Sequence, residues 1–565
     1  MYSDKVNVNL LTALLVGHGI RHAVVCPGSR NAPIVHNLCA CPDIQCHPVT
    51  DERSAGFYAL GMASFLGEAV AVCVTSGSAL LNLLPAVAEA YYQHVPLIVI
   101  SADRPPQWID QLDGQTLPQP GALGCFVRKC VSLPEPGSAE SKWYCQRLVD
   151  DALGVADAPV HINVPISEPL FGFSTKHLPK PIIDRRCEVG CSVAAFEPIL
   201  SEVCKTRRPM LVLGSSSKAN YQRFLPVIER HMVVLYEPLS HRGVRDTVHF
   251  DEVLASLGDD LRPYQPDVVI YVGETLVSKR LKAFLRDGSC KVIRVGREDH
   301  LQDTFKHQCC QVVAEGNDFL SALCDVCRDI EESAERAVKW RQDFWNAWQQ
   351  QFLQAARHLA DYEPAYSQMA AVKAFEQGIE ALEDCFTTES GITVHYANST
   401  AIRLANIYAR HYVFCNRGVN GIEGSLSTAA GASVTAQEWG GRVFCVIGDL
   451  SFFYDQNALW NRSLSGNFRI LLLNNGKGGI FNLLPGLEQS PARDVYVAAA
   501  HSTTAEGICR QNGVAYLRAD DMEEMQRGIH ALLTMESKRP VLLEVLTDAD
   551  EDQRVFVDYY RSLQP

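Results

Sequence analysis

The feature that most constrains the fold of this chain is a repeated alternation between short, almost wholly apolar runs and longer amphipathic stretches. Three such runs follow one another near the N-terminus: "HAVVCPG", "AVAVCVTSG" and "PLIVISADRP". Strands that are apolar on both faces belong to parallel sheets whose two faces are covered by helices. The alternation therefore predicts an α/β fold built from doubly wound parallel sheets.

The same alternation appears in three segments of the chain. A connection rich in proline and charge, "FGFSTKHLPKPIIDRR", separates the first segment from a second, smaller one, and a long charged helical pattern leads into the third. Because 565 residues are too many for one hydrophobic core, we predict three domains, at residues 1–180, 181–350 and 351–565. The first and third segments share no residue-level repeat, so their similarity is one of architecture.

Charge and composition argue against several other classes of protein. The formal net charge of −14 argues against a general nucleic-acid or anionic-membrane surface. No apolar run reaches the roughly 18 residues that a transmembrane helix needs. The N-terminus predicts an amphipathic first helix rather than a signal peptide, so we expect a cytoplasmic protein. The single CxxC pair, Cys324 and Cys327, has no second pair to complete a zinc site.

Polar, glycine-rich loops follow the predicted strands, and in open parallel sheets ligands bind beyond the carboxyl ends of strands. Asp449 follows the strand "RVFCVIG", and Asn475 follows "FRILLL" 26 residues later. One strand–helix–strand unit takes about 30 residues, so we expect both at one sheet edge. A carboxylate, an amide oxygen and a main-chain carbonyl suit Mg²⁺ bound to phosphate. Turn chemistry at strand ends explains the same residues without a ligand.

The GD and NN motifs around Asp449 and Asn475 together resemble the diphosphate- and metal-binding signature of thiamin diphosphate enzymes. The resemblance implies that the three segments are pyrimidine, central and diphosphate domains. It also implies that Mg²⁺, or Mn²⁺ in its place, is bound by Asp449, Asn475 and the main-chain carbonyl of Lys477, where relatives often have glycine. The further cofactor contacts come from the GDLS motif and the helix start "SLSTAAG": Ser427, Gly448, Leu450 and Ser451.

A lone glutamate, Glu52 in "HPVTDERSAGFYALGMA", is the second mark of this superfamily. Its members use a glutamate here to hydrogen-bond a ring nitrogen of the cofactor's aminopyrimidine. A carboxyl near apolar groups has a raised pKa, which allows it to share a proton with such a nitrogen near neutral pH. The alternative is a helix cap, formed by Asp51 or Glu52. Ile422 matches the aliphatic residue that supports the thiazolium, and an ordinary core position is its alternative.

Six stretches are more specific than this shared signature: "CPGSRNAP", "DERSAGFYALGMA", "VTSGSALLNLLPA", "SADRPP", "NRGVNGIEGSLSTAAG" and "GDLSFFYD". Together they resemble the 2-succinyl-5-enolpyruvyl-6-hydroxy-3-cyclohexene-1-carboxylate synthase family of menaquinone biosynthesis. The match is strong in the first and third segments and weak in the middle one. The resemblance implies that 2-oxoglutarate is decarboxylated and that the remaining succinyl-semialdehyde carbanion is added to isochorismate.

Both implied substrates carry two carboxylates, so an acidic protein needs a local cationic pocket to bind them. Arginine suits this task because its planar guanidinium binds a carboxylate with two hydrogen bonds. By their position in the motifs, the candidate substrate-binding residues are Ser29, Arg30, Arg104, Gln115, Lys279, Arg280, Asn398, Ser399, Arg403 and Arg417. The alternative, a solvated surface charge, is strongest for Lys279 and Arg280, because the middle segment matches weakly.

The resemblance also implies a homodimer, or a dimer of dimers, in which the first domain of one chain meets the third domain of its twin. Three other functions stay open. Another thiamin diphosphate-dependent decarboxylase or carboligase, such as an acetolactate synthase-like enzyme, would share Glu52, Asp449 and Asn475 but lack the arginines. A nicotinamide oxidoreductase is disfavoured because no G-x-G-x-x-G opens a helix after the first strand. The third is a non-catalytic binding protein on this fold.

Overall fold

A computed structural model describes residues 1–155, 157–184, 195–216, 218–242, 249–258, 260–298, 300–307, 309–333, 335–385, 391–483 and 486–564. These residues form three sheets, in each of which every strand pair is parallel, with helices between successive strands. The predicted α/β, doubly wound architecture is therefore confirmed. No helix in the described ranges is long and apolar enough to cross a membrane.

The first sheet has six strands: β1 (His22–Val25), β2 (Gln45–Pro48), β3 (Val70–Val74), β4 (Leu97–Asp103), β5 (Lys129–Ser132) and β6 (Val160–Pro165). Their order across the sheet is β2-β1-β3-β4-β6-β5. Every residue of β1, β3, β4 and β6 is buried, as expected for strands covered on both faces. The helices of this segment are α1 (Val6–Gly17), α2 (Ala32–Ala40), α3 (Glu52–Leu66), α4 (Ser78–Asn82), α5 (Leu84–Tyr92) and α6 (Ala139–Leu153).

The central sheet is smaller, with five strands: β7 (Pro209–Leu213), β8 (Val233–Tyr236), β9 (Val268–Val272), β10 (Lys291–Gly296) and β11 (Cys309–Val313). Their order is β11-β10-β9-β7-β8. The helices here are α7 (Glu197–Cys204), α8 (Leu225–Ile228), α9 (Phe250–Ser256), α10 (Lys279–Arg286) and α11 (Gly316–Ser333). A longer helix, α12 (Glu335–Asp361), leads from this segment to the third and spans the proposed domain boundary at residue 350.

The third sheet has six strands: β12 (Ile392–Tyr396), β13 (Val413–Phe414), β14 (Arg442–Gly448), β15 (Phe468–Asn474), β16 (Ala515–Ala519) and β17 (Val541–Leu546). Their order, β13-β12-β14-β15-β17-β16, repeats that of the first sheet strand for strand. The architectural similarity of the two segments is thereby confirmed. The helices are α13 (Gln368–Cys385), α14 (Thr400–Tyr408), α15 (Ser425–Ala436), α16 (Asp449–Tyr454), α17 (Glu506–Asn512), α18 (Met522–Thr534) and α19 (Ala549–Ser562).

Each six-stranded sheet reverses its winding direction beside its first strand. The reversal lies between β1 and β3 in the first sheet and between β12 and β14 in the third. Doubly wound sheets bind ligands at such a point, outside the carboxyl ends of the strands. Arg30 lies shortly after β1, and Asn398 and Asp449 lie shortly after β12 and β14. The topology thus places the predicted site residues where a ligand is expected.

The first and third domains pack on each other within the chain, chiefly through α3 and α15. Apolar residues of both domains form one continuous core. The two helix backbones approach closely, because a Cβ atom on Gly61 would lie 1.9 Å from the main-chain oxygen of Thr428. A Cβ atom on Gly431 would lie 2.2 Å from the main-chain oxygen of Tyr58. Glycine at these two positions is what allows the helices to meet.

Candidate active site

The crossover from β14 through α16 to β15 brings Asp449 and Asn475 together, as their spacing predicted. Asp449 is buried and is the first residue of α16. Its Oδ2 accepts hydrogen bonds from the main-chain N–H groups of Asn475 at 3.2 Å and Gly476 at 2.8 Å. Gly476 has a φ of +75°, a conformation that glycine adopts without strain. The carboxylate therefore fixes the turn that carries the second predicted ligand.

The donor set at this corner fits a hard divalent cation. The Nδ2 atom of Asn475 donates to Asp552 at 2.9 Å, which leaves the amide oxygen as the donor atom for a ligand. The ammonium of Lys477 is engaged by Asp550 at 3.0 Å, so only the main-chain carbonyl of this residue is offered. Among the described residues no cluster of three His, Cys, Asp or Glu side chains suits a metal. Amide and carbonyl oxygens are therefore needed beside Asp449, as Mg²⁺ allows.

The start of α15 offers free polar groups for a diphosphate. Gly424 precedes the helix with a φ of +94° and, as a glycine, has no side chain to cap it. The hydroxyl of Ser425 is buried without a hydrogen-bond partner in the described structure. Ser427, the predicted contact, instead gives its N–H and its hydroxyl to Asp455 at 2.7 and 2.8 Å. The open groups thus belong to Ser425, two residues before the predicted one.

The GDLS loop, residues 448–451, contacts Ile422, the residue that the sequence predicts to support the thiazolium. No atom lies within 4 Å of where a Cβ on Gly448 would stand, so space is open there. The N–H of Leu450 donates to its neighbour Asp449. The hydroxyl of Ser451 donates to the main-chain oxygen of Ile422 at 2.7 Å. The side chain of Ile422 is 39% exposed, which rules out an ordinary core position and leaves an apolar surface for a ligand.

Glu52 is the first residue of α3, and its neighbour takes over the capping role. The carboxylate of Asp51 accepts a hydrogen bond from the N–H of Ser54 at 3.1 Å, which is the N-cap interaction. Glu52 instead accepts from the side chain of Asn82 at 3.3 Å and is only half-buried. Asp51 is therefore the helix cap, and the carboxylate of Glu52 is available to bind another group.

Residues on both sides of Glu52 contact the third domain of the same chain. Arg53 donates to the main-chain oxygen of Tyr454 at 2.8 Å, and Asn457 donates to Asp51 at 2.6 Å. Tyr454 is the last residue of α16, whereas Asp449 is its first. Within one chain, the start of α3 thus lies beside the far end of the helix that begins with Asp449.

Two of the predicted substrate arginines in the first domain have acidic partners. Arg30 is buried and donates to the main-chain oxygen of Ile166 at 2.9 Å and to Glu168 at 3.2 Å. Arg104 forms an ion pair with Asp113 at 3.0 Å. Each guanidinium has five donors, so a substrate carboxylate needs only those that the partner leaves.

Two smaller predicted residues of the first domain lie on loops. Ser29 is exposed and precedes α2. Gln115 has a φ of +59°, and its main-chain oxygen would lie 3.1 Å from a Cβ on Gly77. Strained backbone at a non-glycine residue is concentrated at functional sites, which suits a binding role for Gln115.

The four predicted residues of the third domain form a group between β12 and the loop after β13. Asn398 is buried, donates to the main-chain oxygens of Asn416 and Gly421, and accepts from Arg417 at 3.1 Å. Ser399 precedes α14 with a φ of +70°. Burial lowers the pKa of Arg403, and the neighbouring Arg417 lowers it further. Asn398 therefore shapes the loop and orients Arg417.

The two predicted residues of the central domain differ from each other. Lys279 is exposed at the start of α10. Arg280 forms an ion pair with Asp251 at 2.9 Å, and its guanidinium stacks 3.8 Å above the ring of Tyr560. These contacts join the central domain to the C-terminal helix α19. The structure thus gives Arg280 two structural partners, Asp251 and Tyr560, and leaves Lys279 exposed to solvent.

Sequence reasoning missed four carboxylates that hold the loops of this site: the buried Glu89, Glu237 and Asp455 and the half-buried Asp552. Burial raises the pKa of Asp455 to about 7, and hydrogen bonds from Ser427 oppose that rise. Glu237 directly follows β8, the same signal that identified Asp449. Glu89 is a lone acid among the apolar residues of α5, and such an acid inside an apolar pattern is the signal that could have found it.

Comparison with known protein families shows to which class of protein this chain belongs. Residues 7–120 match the family described as "Thiamine pyrophosphate enzyme, N-terminal TPP binding domain". Residues 396–545 match "Thiamine pyrophosphate enzyme, C-terminal TPP binding domain". The first match contains Glu52, and the second contains Asp449 and Asn475. Fold, site and matches define the chain as a thiamin diphosphate-dependent enzyme.

Curated relatives identify the family within this class. The chain is 40% identical to the 2-succinyl-5-enolpyruvyl-6-hydroxy-3-cyclohexene-1-carboxylate synthase of Bacteroides thetaiotaomicron and 39% identical to that of Bacteroides fragilis, over 100% of both chains in each case. The synthase of Flavobacterium johnsoniae is 34% identical over 96% of each chain. The chain belongs to the 2-succinyl-5-enolpyruvyl-6-hydroxy-3-cyclohexene-1-carboxylate synthase family, and the resemblance seen in its motifs is confirmed.

Proposed function

We propose that this enzyme decarboxylates 2-oxoglutarate and adds the remaining four-carbon unit to isochorismate, as a step of menaquinone biosynthesis that uses thiamin diphosphate and Mg²⁺ or Mn²⁺. The observation that carries the proposal is the position of Arg403. This arginine lines the same small cavity as Asn475, one of the proposed metal ligands. A half-buried cation beside the metal corner suits a substrate that carries carboxylates in addition to its reacting group.

The residues present have separable roles in this reaction. When bound, thiamin diphosphate supplies a thiazolium carbon that stabilises the negative charge left by departing CO₂. We assign Glu52 to share a proton with the aminopyrimidine, and Asp449, Asn475 and the carbonyl of Lys477 to hold the metal ion. The exposed side chain of Ile422 would support the thiazolium ring, and the buried, unpartnered hydroxyl of Ser425 would suit the diphosphate.

The cationic residues are assigned to the substrate carboxylates. Arg403 and Arg417 repel each other, and a bound carboxylate relieves that repulsion. The exposed Lys279 and the donors of Arg30 and Arg104 that are not engaged by Glu168 and Asp113 suit the remaining carboxylates. Ser29, Gln115 and Ser399 are assigned to orient the substrate at the same loops, and Asn398 is assigned to act through Arg417, from which its side chain accepts a hydrogen bond.

A CO₂-release assay tests the proposed function. The purified enzyme with thiamin diphosphate and Mg²⁺ should release CO₂ from 2-oxoglutarate rapidly only when isochorismate is present, with the addition product formed in equal amount. Pyruvate in place of 2-oxoglutarate is the control. CO₂ release at the same rate with and without isochorismate would indicate a plain decarboxylase instead. Faster release from pyruvate than from 2-oxoglutarate would indicate an acetolactate synthase-like enzyme.

The proposal includes a homodimer with shared sites and a cytoplasmic location. Support for the location comes from cysteines such as Cys26, Cys73 and Cys445, which are buried free thiols, as a reducing compartment favours. Support for the dimer comes from α16, whose two ends separate Asp449 from the residues beside Glu52. The resemblance to thiamin diphosphate enzymes, in which the first domain of one chain meets the third domain of its twin, supports the same arrangement.

A further inference from the structure

The loop that carries Arg417 is held by a buried glutamate of the first domain. Glu89, on α5, is 3% exposed. Its two carboxylate oxygens accept hydrogen bonds from the main-chain N–H groups of Gly418 at 2.6 Å and Val419 at 2.7 Å. These are the two residues that directly follow Arg417. Burial raises the pKa of Glu89, and these hydrogen bonds oppose the rise.

The contact between this loop and α5 is tight as well as polar. A Cβ atom on Gly418 would lie 2.7 Å from the main-chain oxygen of Glu89 and 3.0 Å from the Cβ of Tyr92. The backbone next to Arg417 therefore rests directly on α5. A buried carboxylate with two main-chain partners is costly to remove, because both N–H groups would be left without an acceptor.

A second buried glutamate, in the central domain, holds another loop that contacts Arg417. Glu237, which follows β8, accepts hydrogen bonds from the N–H groups of Val277 at 2.8 Å and Ser278 at 2.7 Å. It also accepts from the side chain of Asn406 on α14 at 3.2 Å. Burial raises the pKa of Glu237, while these N–H groups and the charge of Arg417 oppose the rise.

The loop that Glu237 holds is in contact with Arg417. The carbonyl of Leu276, directly before Val277, accepts from Nη2 of Arg417 at 3.5 Å. Nη1 of the same guanidinium donates to Asn398 of the third domain. Nε is buried and has no hydrogen-bond partner among the described residues. All three domains thus help to hold Arg417 in place. The N–H at Nε and the other guanidinium hydrogens that make no such contact are left for a ligand.

We propose that Glu89 and Glu237 are positioning residues that hold Arg417 in place for a substrate carboxylate. The inference rests on the proposed function, in which Arg417 binds one of two dicarboxylic substrates. Both glutamates act through main-chain atoms rather than on the substrate. The negative charge of Glu237 also helps Arg417 to stand close to Arg403 before a substrate carboxylate arrives.

The test is a set of double-mutant cycles. Glu89→Ala, Glu89→Gln, Glu237→Ala and Glu237→Gln are made in the parental enzyme and in Arg417→Ala, and kcat and KM are measured for both substrates. For the substrate whose KM is raised by Arg417→Ala, we expect each Glu→Ala change to raise KM about tenfold with a smaller change in kcat, since misplacement of a binding group has this scale. The Gln variants, which keep one acceptor oxygen, should recover part of that loss.

The cycle separates positioning from a general loss of stability. If the glutamates act through Arg417, each Glu→Ala change should raise KM less than about twofold in the Arg417→Ala enzyme. Asp150→Ala is the control, because Asp150 is a buried carboxylate that binds His18 far from these loops. It should lower the melting temperature and leave KM unchanged. Effects that multiply fully with Arg417→Ala, or an unchanged KM, would refute the inference.

A second measurement keeps this test independent of the proposed function. A parental enzyme that releases no CO₂ from 2-oxoglutarate would refute the function, and amide hydrogen exchange would then test the positioning. Exchange should rise in Glu89→Ala at residues 417–419 and in Glu237→Ala at residues 276–278. Unchanged exchange there, or equal increases in Asp150→Ala, would overturn the role of the two glutamates.

Discussion

At the scale of residues, this site is built from carboxylates that accept hydrogen bonds from main-chain N–H groups. Asp449 binds the N–H groups of Asn475 and Gly476, and Asp455 binds that of Ser427. A buried carboxylate is costly unless it is hydrogen-bonded, and a loop N–H is costly unless it has an acceptor. Each pairing removes both costs and fixes a loop that faces the ligand.

Removal of the Asp449 carboxylate should abolish metal-dependent cofactor binding. Thiamin diphosphate with Mg²⁺ at about 100 times the dissociation constant adds roughly 2.7 kcal/mol to the stability of the parental enzyme, which gives a visible rise in melting temperature. In Asp449→Ala we expect no rise above that variant's own baseline, because the one carboxylate of the donor set is lost. Differential scanning fluorimetry with and without both ligands measures this.

Two controls make the result specific. Asp550→Ala removes a carboxylate that binds the ammonium of Lys477 rather than the proposed metal ion, and it should keep the full rise. NAD should give none with any of the three enzymes. A full rise in Asp449→Ala would show that the metal ion is held elsewhere.

The sequence identified single site residues where a local pattern carries the information. Asp449 and Asn475 are recognisable because both end strands at a fixed spacing, and the structure places them in contact. Arg280 is different, since its ion pair with Asp251 and its stacking on Tyr560 depend on how the central domain meets α19. Such a partner is distant in the chain, so no local pattern shows that a cation is already engaged.

At the scale of elements, the contact between α3 and α15 makes a sharp prediction about glycine. Gly431→Ala adds a Cβ that would lie 2.2 Å from the main-chain oxygen of Tyr58, so one helix must shift. Overpacking of this kind costs about 1–3 kcal/mol, and we expect a loss of unfolding free energy in that range. Urea unfolding of the apoenzyme, followed by circular dichroism, gives the change.

Gly507→Ala is the matched control for the contact. This glycine also lies in a helix, α17, but no atom stands within 4 Å of the added Cβ. The substitution should be neutral or stabilising by up to about 1 kcal/mol, because alanine favours helix more than glycine does. Equal effects at both positions would mean that helix propensity, rather than the close approach of α3 and α15, governs Gly431.

Strands that are buried along their whole length were easier to predict from the sequence than strands that are partly exposed. The long buried strands β4 and β15 stand out as apolar runs. The strand β2, "QCHP", has only one fully buried residue and ends in proline, so it lacks both an apolar run and an alternating pattern. Edge strands like this take their structure from pairing with a neighbour, here β1, and pairing is not encoded locally.

At the scale of the whole molecule, the first and third sheets have the same strand order and reverse their winding direction at the same place. Each has a reversal point where a ligand is expected to bind, with Arg30 after β1 in the first sheet and Asp449 after β14 in the third. The shared order was invisible in the residues, because buried strands require apolar side chains of suitable size but no particular sequence. The motifs were visible because loops at the reversal points need specific chemistry.

The pyrimidine end and the diphosphate end of one cofactor are expected to be bound by different chains. Within a chain, Arg53 and Asp51 contact Tyr454 and Asn457, beyond the far end of α16 from Asp449. We propose that Glu52 of one chain serves the cofactor held by Asp449 of its twin. A two-fold dimer then carries two equivalent sites, each with one residue from each chain.

Co-expression of two inactive variants tests this arrangement. Glu52→Gln and Asp449→Ala should each be nearly inactive alone, because each damages both sites of its homodimer. A heterodimer of the two, isolated with a different affinity tag on each chain, would contain one parental site and one doubly damaged site. It should therefore recover up to about half of the parental activity. Purified heterodimers as inactive as either variant would show instead that Glu52 and Asp449 of the same chain act on one cofactor.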